Sequence, residues 1–254
     1  LPGYGNYKQT QVNKNAKLDY FDARGSVSWA LCKHVDMQFG FDKNFIGDGY
    51  RSLLLSDFSN RATFLKTNFK IWKLNYESIV MELYAPHINS GNLVFPKKYA
   101  RFSDLSINAA KWLNAGIFEA AMFDRRDDFS LQYLVPVIFF KPIGSAGDNE
   151  NQVLGLHAKA NIEHHAQLYG QVVFDELNPG KTFSTAWNNK SGWQLGVKYI
   201  DAFGFKNLDV QAEINQVRPF TYAYSDSIGN YSHYNQPLAH PLGANFTEFV
   251  AIAK

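Results

Sequence analysis

Asn207-Leu208-Asp209-Val210-Gln211-Ala212-Glu213-Ile214-Asn215-Gln216-Val217 alternates apolar and polar side chains almost without a break. Successive side chains of an extended chain point to opposite sides. Leu208, Val210, Ala212 and Ile214 therefore share one face, and Asp209, Gln211, Glu213 and Asn215 the other. The stretch from Ala166 repeats the scheme, with Leu168, Gly170, Val172 and Phe174 opposite Gln167, Tyr169, Gln171 and Asp175. Val35, Met37, Phe39 and Phe41 alternate in the same way with Asp36, Gln38, Gly40 and Asp42. Like patterns run over 17–31, 63–71, 74–84, 101–110, 115–123, 152–161, 193–200 and 246–253, which makes eleven expected strands. Two solvents can impose this alternation. A soluble sandwich buries the apolar face between sheets, whereas a membrane barrel turns it to lipid and encloses the polar face.

Composition narrows the classes. Among 254 residues, 25 Lys+Arg against 23 Asp+Glu leave a net charge of +2, which argues against a nucleic-acid partner. The longest apolar run, eight residues over 133–140, is far short of the roughly 20 that a spanning helix needs. Barrel strands need only about ten residues, half of them apolar. Cys32 stands alone, so neither an internal disulfide framework nor a cysteine-based zinc site is available. The chain opens at Leu1 and closes inside a strand-like pattern, and it is expected to be a single barrel domain over 1–254, incomplete at both ends.

Connection lengths favour the barrel. Trp72-Lys73, Lys111-Trp112-Leu113, Ile162-Glu163-His164 and Ala202-Phe203-Gly204-Phe205 are short turns. The connections 44–62, 85–100, 124–151, 176–192 and 218–245 are long. Short and long alternate strictly if 129–141 does not span. There Pro136 cannot donate to a ladder, and Leu131, Leu134, Val135 and Ile138 fit a helical stripe, although an edge strand is the competing reading. Short turns on one rim and long loops on the other are an outer-membrane barrel pattern. Trp72, Trp112, Phe203 and Phe205 in the short turns suit an interfacial aromatic girdle.

Three further stretches stand on or beside the long-loop rim. They are Lys43-Asn44-Phe45-Ile46-Gly47-Asp48-Gly49-Tyr50-Arg51-Ser52-Leu53-Leu54-Leu55-Ser56-Asp57, Leu168-Tyr169-Gly170-Gln171-Val172-Val173-Phe174-Asp175-Glu176, and 230–246, which contains Tyr234-Asn235-Gln236-Pro237-Leu238-Ala239-His240-Pro241-Leu242-Gly243-Ala244-Asn245-Phe246. Together they resemble the Wzi-type capsule-assembly outer-membrane barrels, in particular the Bacteroidota branch that includes the gliding-motility protein RemB. The resemblance runs over most of 35–246. It implies an all-β, antiparallel transmembrane β-barrel in the outer membrane, in contact with lipid, that engages capsular or other surface polysaccharide. It implies no cofactor. Barrels of this family are larger than eleven strands can close.

Each motif also has a local reading. Gly47-Asp48-Gly49 is a turn former, expected to lead into a short helix over 51–56 folded toward the lumen. It lacks the spacing of a phosphate loop. The same stretch could serve as a sugar-binding edge. Tyr50 offers an aromatic face, and Asp48 and Arg51 offer charged partners for hydroxyls. In the third motif Pro237 and Pro241 stiffen an irregular loop. His233 and His240 match no zinc spacing, His164 and His165 point to opposite faces of a strand, and no metal site is expected. A hydrogen-bonded loop lock is one role for this loop, with Tyr231 and Tyr234 left to stack on a glycan. The candidate polysaccharide contacts are therefore Asp48, Tyr50, Arg51, Tyr231, His233, Tyr234, Gln236 and His240.

Glu82, Glu119, Asp175, Asp209 and Glu213 are expected to point inward, balanced by arginines such as Arg101, Arg125, Arg126 and Arg218. Paired carboxylates can hydrolyse glycosides, but barrel interiors are commonly lined with such groups. No Gly-x-Ser-x-Gly elbow is present. The expectation is a non-enzymatic barrel that binds or organises polysaccharide. The alternatives are a structural subunit of a gliding or secretion-associated envelope complex, with protein partners on the barrel, and a soluble sandwich adhesin.

Overall fold

The computed structural model describes residues 7–12, 15–20, 23–85, 97–123, 151–163, 165–175, 189–224 and 229–254. After a separate hairpin, β1 (Tyr7–Val12) and β2 (Asn15–Tyr20), the chain builds one antiparallel sheet. Its strands are β3 (Gly25–Cys32), β4 (Val35–Asp42), β5 (Ala62–Ile71), β6 (Leu74–Tyr84), β7 (Lys97–Asn108), β8 (Leu113–Phe123), β9 (Asn151–Ile162), β10 (Ala166–Asp175), β11 (Ser191–Tyr199), β12 (Val210–Val217) and β15 (Phe246–Ala253). Each pairs with its neighbour in the chain, from β3 at one edge to β15 at the other. A two-residue ribbon, β13 (Ser232–His233) with β14 (Gln236–Pro237), lies inside the last long loop.

The eleven strands and the alternation of short and long connections match the sequence pattern. Two expectations need correction. The single strand expected over 17–31 is broken: Asn15–Tyr20 pairs with β1, and only Gly25–Cys32 joins the sheet. The helix expected over 51–56 is also absent. Ile46 bridges Leu55 in extended conformation instead, and no α-helix occurs among the described residues. The stripe at 129–141 lies outside them. Among the described residues the sheet is open, with β3 and β15 each pairing on one side only.

Register sorts the side chains into two faces. Glu213, Gly196, Tyr169, Lys159 and Asn114 sit opposite one another across β12, β11, β10, β9 and β8, so they share the face on which the long loops pack. We call this face inner. The other face exposes Val27, Trp29, Phe39, Leu156, Leu168, Trp193, Leu195 and Phe249. Aqueous solvent does not favour so much contiguous apolar surface on a monomer. On the short-turn rim Trp72, Trp112, Phe203 and Phe205 are also exposed.

The inner face changes character along the strands. Toward the short turns it is polar: Asn75, Ser106, Asn114, His157, Lys159 and Lys198. Toward the long loops it is apolar: Ile79, Met81, Leu83, Ala100, Phe102, Phe118, Ala120, Met122, Val153 and Val173, all buried. The long loops supply the other half of this core with Leu53, Leu54, Leu55, Tyr222, Tyr231, Leu238 and Ala239. Burying a side chain such as Leu or Phe contributes about 1.5–3 kcal/mol, so the loops are held in place as core rather than as surface. The loop-side half of the expected wet interior is therefore dry.

Three inward assignments are also corrected by register. Glu82, Glu119 and Arg101 belong to the outer face. There Arg101 donates to the Tyr76 hydroxyl at 3.1 Å, and Gln152 donates to Glu119. Ser78, Arg101, Ser103 and Glu119 are buried, so this part of the outer wall is covered. The inner carboxylates Asp175 and Glu213 fall where alternation put them.

Candidate functional site

The three sequence motifs close on one another. Gly47 has φ of 147°, and Gly49 leaves no room for a Cβ, which would lie 2.6 Å from both the Arg51 carbonyl and Glu213 Oε2. Only glycine lets the backbone come this close to the sheet. Glu213 accepts from the backbone N–H groups of Tyr50 at 2.8 Å and Arg51 at 3.2 Å, from the Tyr169 hydroxyl at 2.8 Å, and from Asn215 Nδ2 at 2.8 Å. Gln171 accepts from Leu53 N–H at 2.9 Å, and Gln194 donates to the Arg51 carbonyl at 3.0 Å. Lys159 pairs with the Asp48 carboxylate at 2.6 Å, and Lys198 donates to the Asp48 carbonyl at 2.6 Å. The first motif is thus fastened to β9, β10, β11 and β12 through side chains of inner parity.

The third motif is fastened next to it. Asp175, the end of the second motif's strand, accepts from Tyr222 N–H at 2.7 Å. Tyr222 and Tyr231 stack with centroids 5.4 Å apart. Their hydroxyls donate to the carbonyls of Leu53 and Leu54 at 2.7 and 2.6 Å. Burial pushes both phenols well above their ordinary pKa, so they stay neutral donors. Ser56 Oγ donates to the Ala239 carbonyl, and Ser56 N–H to the Leu238 carbonyl at 2.8 Å.

The eight candidate contacts divide into two groups. Asp48, Tyr50, Arg51 and His240 form the first. The Arg51 guanidinium lies 4.9 Å from the Tyr50 ring centroid and 3.8 Å from Glu248, which His240 contacts at 2.7 Å. Tyr50 is 50% exposed, while His240 is fully buried against the Phe246 ring, with centroids 4.3 Å apart. Burial lowers the His240 pKa, opposed by Glu248. Tyr231, His233, Tyr234 and Gln236 form the second group, on and beside the β13–β14 ribbon. His233 accepts from Tyr84 N–H at 3.0 Å and lies 3.2 Å from the Arg61 carbonyl. Tyr234 stacks on Tyr84 with centroids 5.2 Å apart.

Tyr231, His233 and His240 are therefore interior groups whose polar atoms already meet protein partners. Tyr50, Arg51, Asp48, Tyr234 and Gln236 keep exposed surface. No metal-ligating cluster of His, Cys, Asp and Glu occurs among the described residues. Sequence reasoning left Gln171, Gln194, Asn215, Glu248, Lys159 and Lys198 without a role. The available signal was their amide or charged character at inner parity on neighbouring strands.

No family model matches the chain, and no curated protein matches it. Among solved structures it is similar to Wzi of Escherichia coli, described as an outer membrane protein involved in group 1 capsule assembly and a carbohydrate-binding β-barrel. The match has a TM-score of 0.65 and 15% identity, and covers 92% of this chain and 52% of Wzi. The chain thus spans about half the length of Wzi, and its open eleven-stranded sheet has the fold of the corresponding part of that barrel.

Proposed function

We propose that this chain forms the wall of an outer-membrane β-barrel that binds or organises capsular or other surface polysaccharide. The observation that carries the reading is the sheet's inversion. Large apolar side chains lie exposed on the outer face, and the groups that hold the loops lie on the inner one. Hydrocarbon is the solvent that suits such an outer face. The fold shared with a carbohydrate-binding barrel supports the choice of ligand. The motifs support a place in the Bacteroidota branch of the Wzi-type barrels.

The protein acts by binding rather than by catalysis. Tyr50 presents an aromatic face, Arg51 and Asp48 flank it, and Tyr234 and Gln236 form a second contact region on the loop rim. Tyr231, His233 and His240 hold these loops in shape without touching the glycan.

The test is binding of the producing cell's own surface polysaccharide to detergent-purified protein. Wild type is expected to bind, with Tyr50→Ala or Arg51→Ala weakening the interaction about tenfold, equivalent to about 1.4 kcal/mol. A wild-type protein that ignores this polysaccharide would sink the reading.

A further inference from the structure

Below the packed loops, toward the short turns, the inner face holds an open cavity of about 450 Å³. None of the eight candidate contacts except Asp48 lines it. Its wall is built from β5, β6, β7, β8 and β9, and its roof from the Phe45–Asp48 segment of the first motif.

The chemistry of this wall is specific. Its charges balance: Lys159 pairs with Asp48 at 2.6 Å and Lys66 with Glu77 at 3.7 Å, and the wall also holds one further cation, Lys70, and one further carboxylate, Asp104, which lies 2.7 Å from His157. Little net field is left to select an ion. Uncharged hydrogen-bonding capacity remains. Asn68 and Asn75 turn amides into the cavity that no other described side chain uses. The His157 side chain is only 8% exposed and is held in the wall beside the Asp104 carboxylate.

Gly116 is what admits this ring. A Cβ there would collide with His157 Nε2 and Cε1. Half-buried Phe45 adds an aromatic surface to the roof. Amides that both donate and accept and a ring face suit a polyhydroxylated, uncharged molecule. The volume lies within the range of small-molecule sites, about 300–1,000 Å³.

We infer that the cavity beneath the loops is a second saccharide site, which takes one or two neutral sugar residues on the short-turn side of the loop plug. Asn68 and Asn75 read its hydroxyls, and Phe45 carries the ring. The inference rests on the reading of the protein as a carbohydrate binder, but it places a site where that reading does not.

Saturation-transfer NMR on the detergent-solubilised chain, with cellobiose, maltose, lactose and chitobiose as probes, tests it. Wild type and Tyr50→Ala are expected to transfer saturation to at least one disaccharide. Asn68→Leu/Asn75→Leu, which removes no structural hydrogen bond, is expected to reduce the transfer about tenfold, and Gly116→Val, which displaces His157, to do the same. Transfer that survives in the double variant overturns the inference. If it is lost instead in Tyr50→Ala, the sugar sits at the exposed rim and the polysaccharide reading stands without the cavity. If no disaccharide responds while the cell's polysaccharide still binds, the cavity site alone falls. If neither binds, both fall.

Discussion

Glu213 shows how a charge is kept inside this wall. It is 4% exposed, and its two oxygens accept four hydrogen bonds from Tyr50, Arg51, Tyr169 and Asn215. A carboxylate satisfied in this way can be buried. His233 is the contrasting case, a titratable group buried in neutral form. Burial, aided by the Lys98 ammonium, lowers its pKa to about 4, opposed by the hydrogen bond that its Nε2–H donates to the Arg61 carbonyl. In the unfolded chain it returns to 6.5. Between those values the unfolded state binds more protons, so His233's contribution is complete above pH 6.5 and is lost as pH falls toward 4. The full effect is at most about 3 kcal/mol. Thermal unfolding followed from pH 7 to pH 4 is expected to show this decline and His233→Gln to flatten it. An unchanged slope in the variant would place its origin elsewhere. His233 and His240 stood out in the sequence, but whether a histidine in an irregular loop faces ligand or core has no local signature. For His233 the Tyr84 and Arg61 backbones, more than a hundred residues away, decide it.

At the level of elements, period two located the strands well, because one buried or lipid-covered face imposes alternation on each strand separately. It placed Glu213 and Asp175 correctly. It misplaced Glu82, Glu119 and Arg101 because polarity was taken as the mark of the inner face, while near the long loops the inner face is apolar and the covered outer face is polar. The helix expected over 51–56 failed for a related reason. Leu53-Leu54-Leu55 is an apolar run without the length that separates helix from strand. Its backbone is satisfied by the Ile46 bridge and by Gln171. Adjacent strands also shape the lock: the Tyr169 ring lies over Gly196 of β11, where a Cβ would collide with the phenol. Gly196→Val is expected to push Tyr169 off Glu213 and to destabilise the region by about 1–3 kcal/mol through overpacking. Limited trypsin digestion should then cut after Arg51 much faster than in wild type. Equal cleavage rates would show that the Tyr169 contact does not hold the loop.

At the level of the molecule, the sheet presents an outer wall that is largely apolar and exposed, and an inner wall divided between a dry loop core and a polar cavity. Trp29, Trp72, Trp112 and Trp193 are all exposed, with Trp72 at 83%. Trp72 also holds φ of 54°, as the first central residue of the two-residue hairpin turn between Ile71 and Leu74 requires, and its exposed indole suits a membrane interface. Reconstitution into vesicles with brominated acyl chains is expected to quench most of the tryptophan fluorescence, whereas emission indifferent to bromine would mean that this wall does not meet lipid. The sequence by itself determined the number of strands, their antiparallel succession and the alternation of turns and loops. These follow from side-chain periodicity and connection length, which act between near neighbours in the chain. Only the tertiary structure decided that the long loops fold back as core, that three conspicuous aromatic and imidazole groups serve that core, and that a polar cavity lies beneath it. Those outcomes depend on which distant side chains compete for the same enclosed volume and for the same buried hydrogen-bond partners.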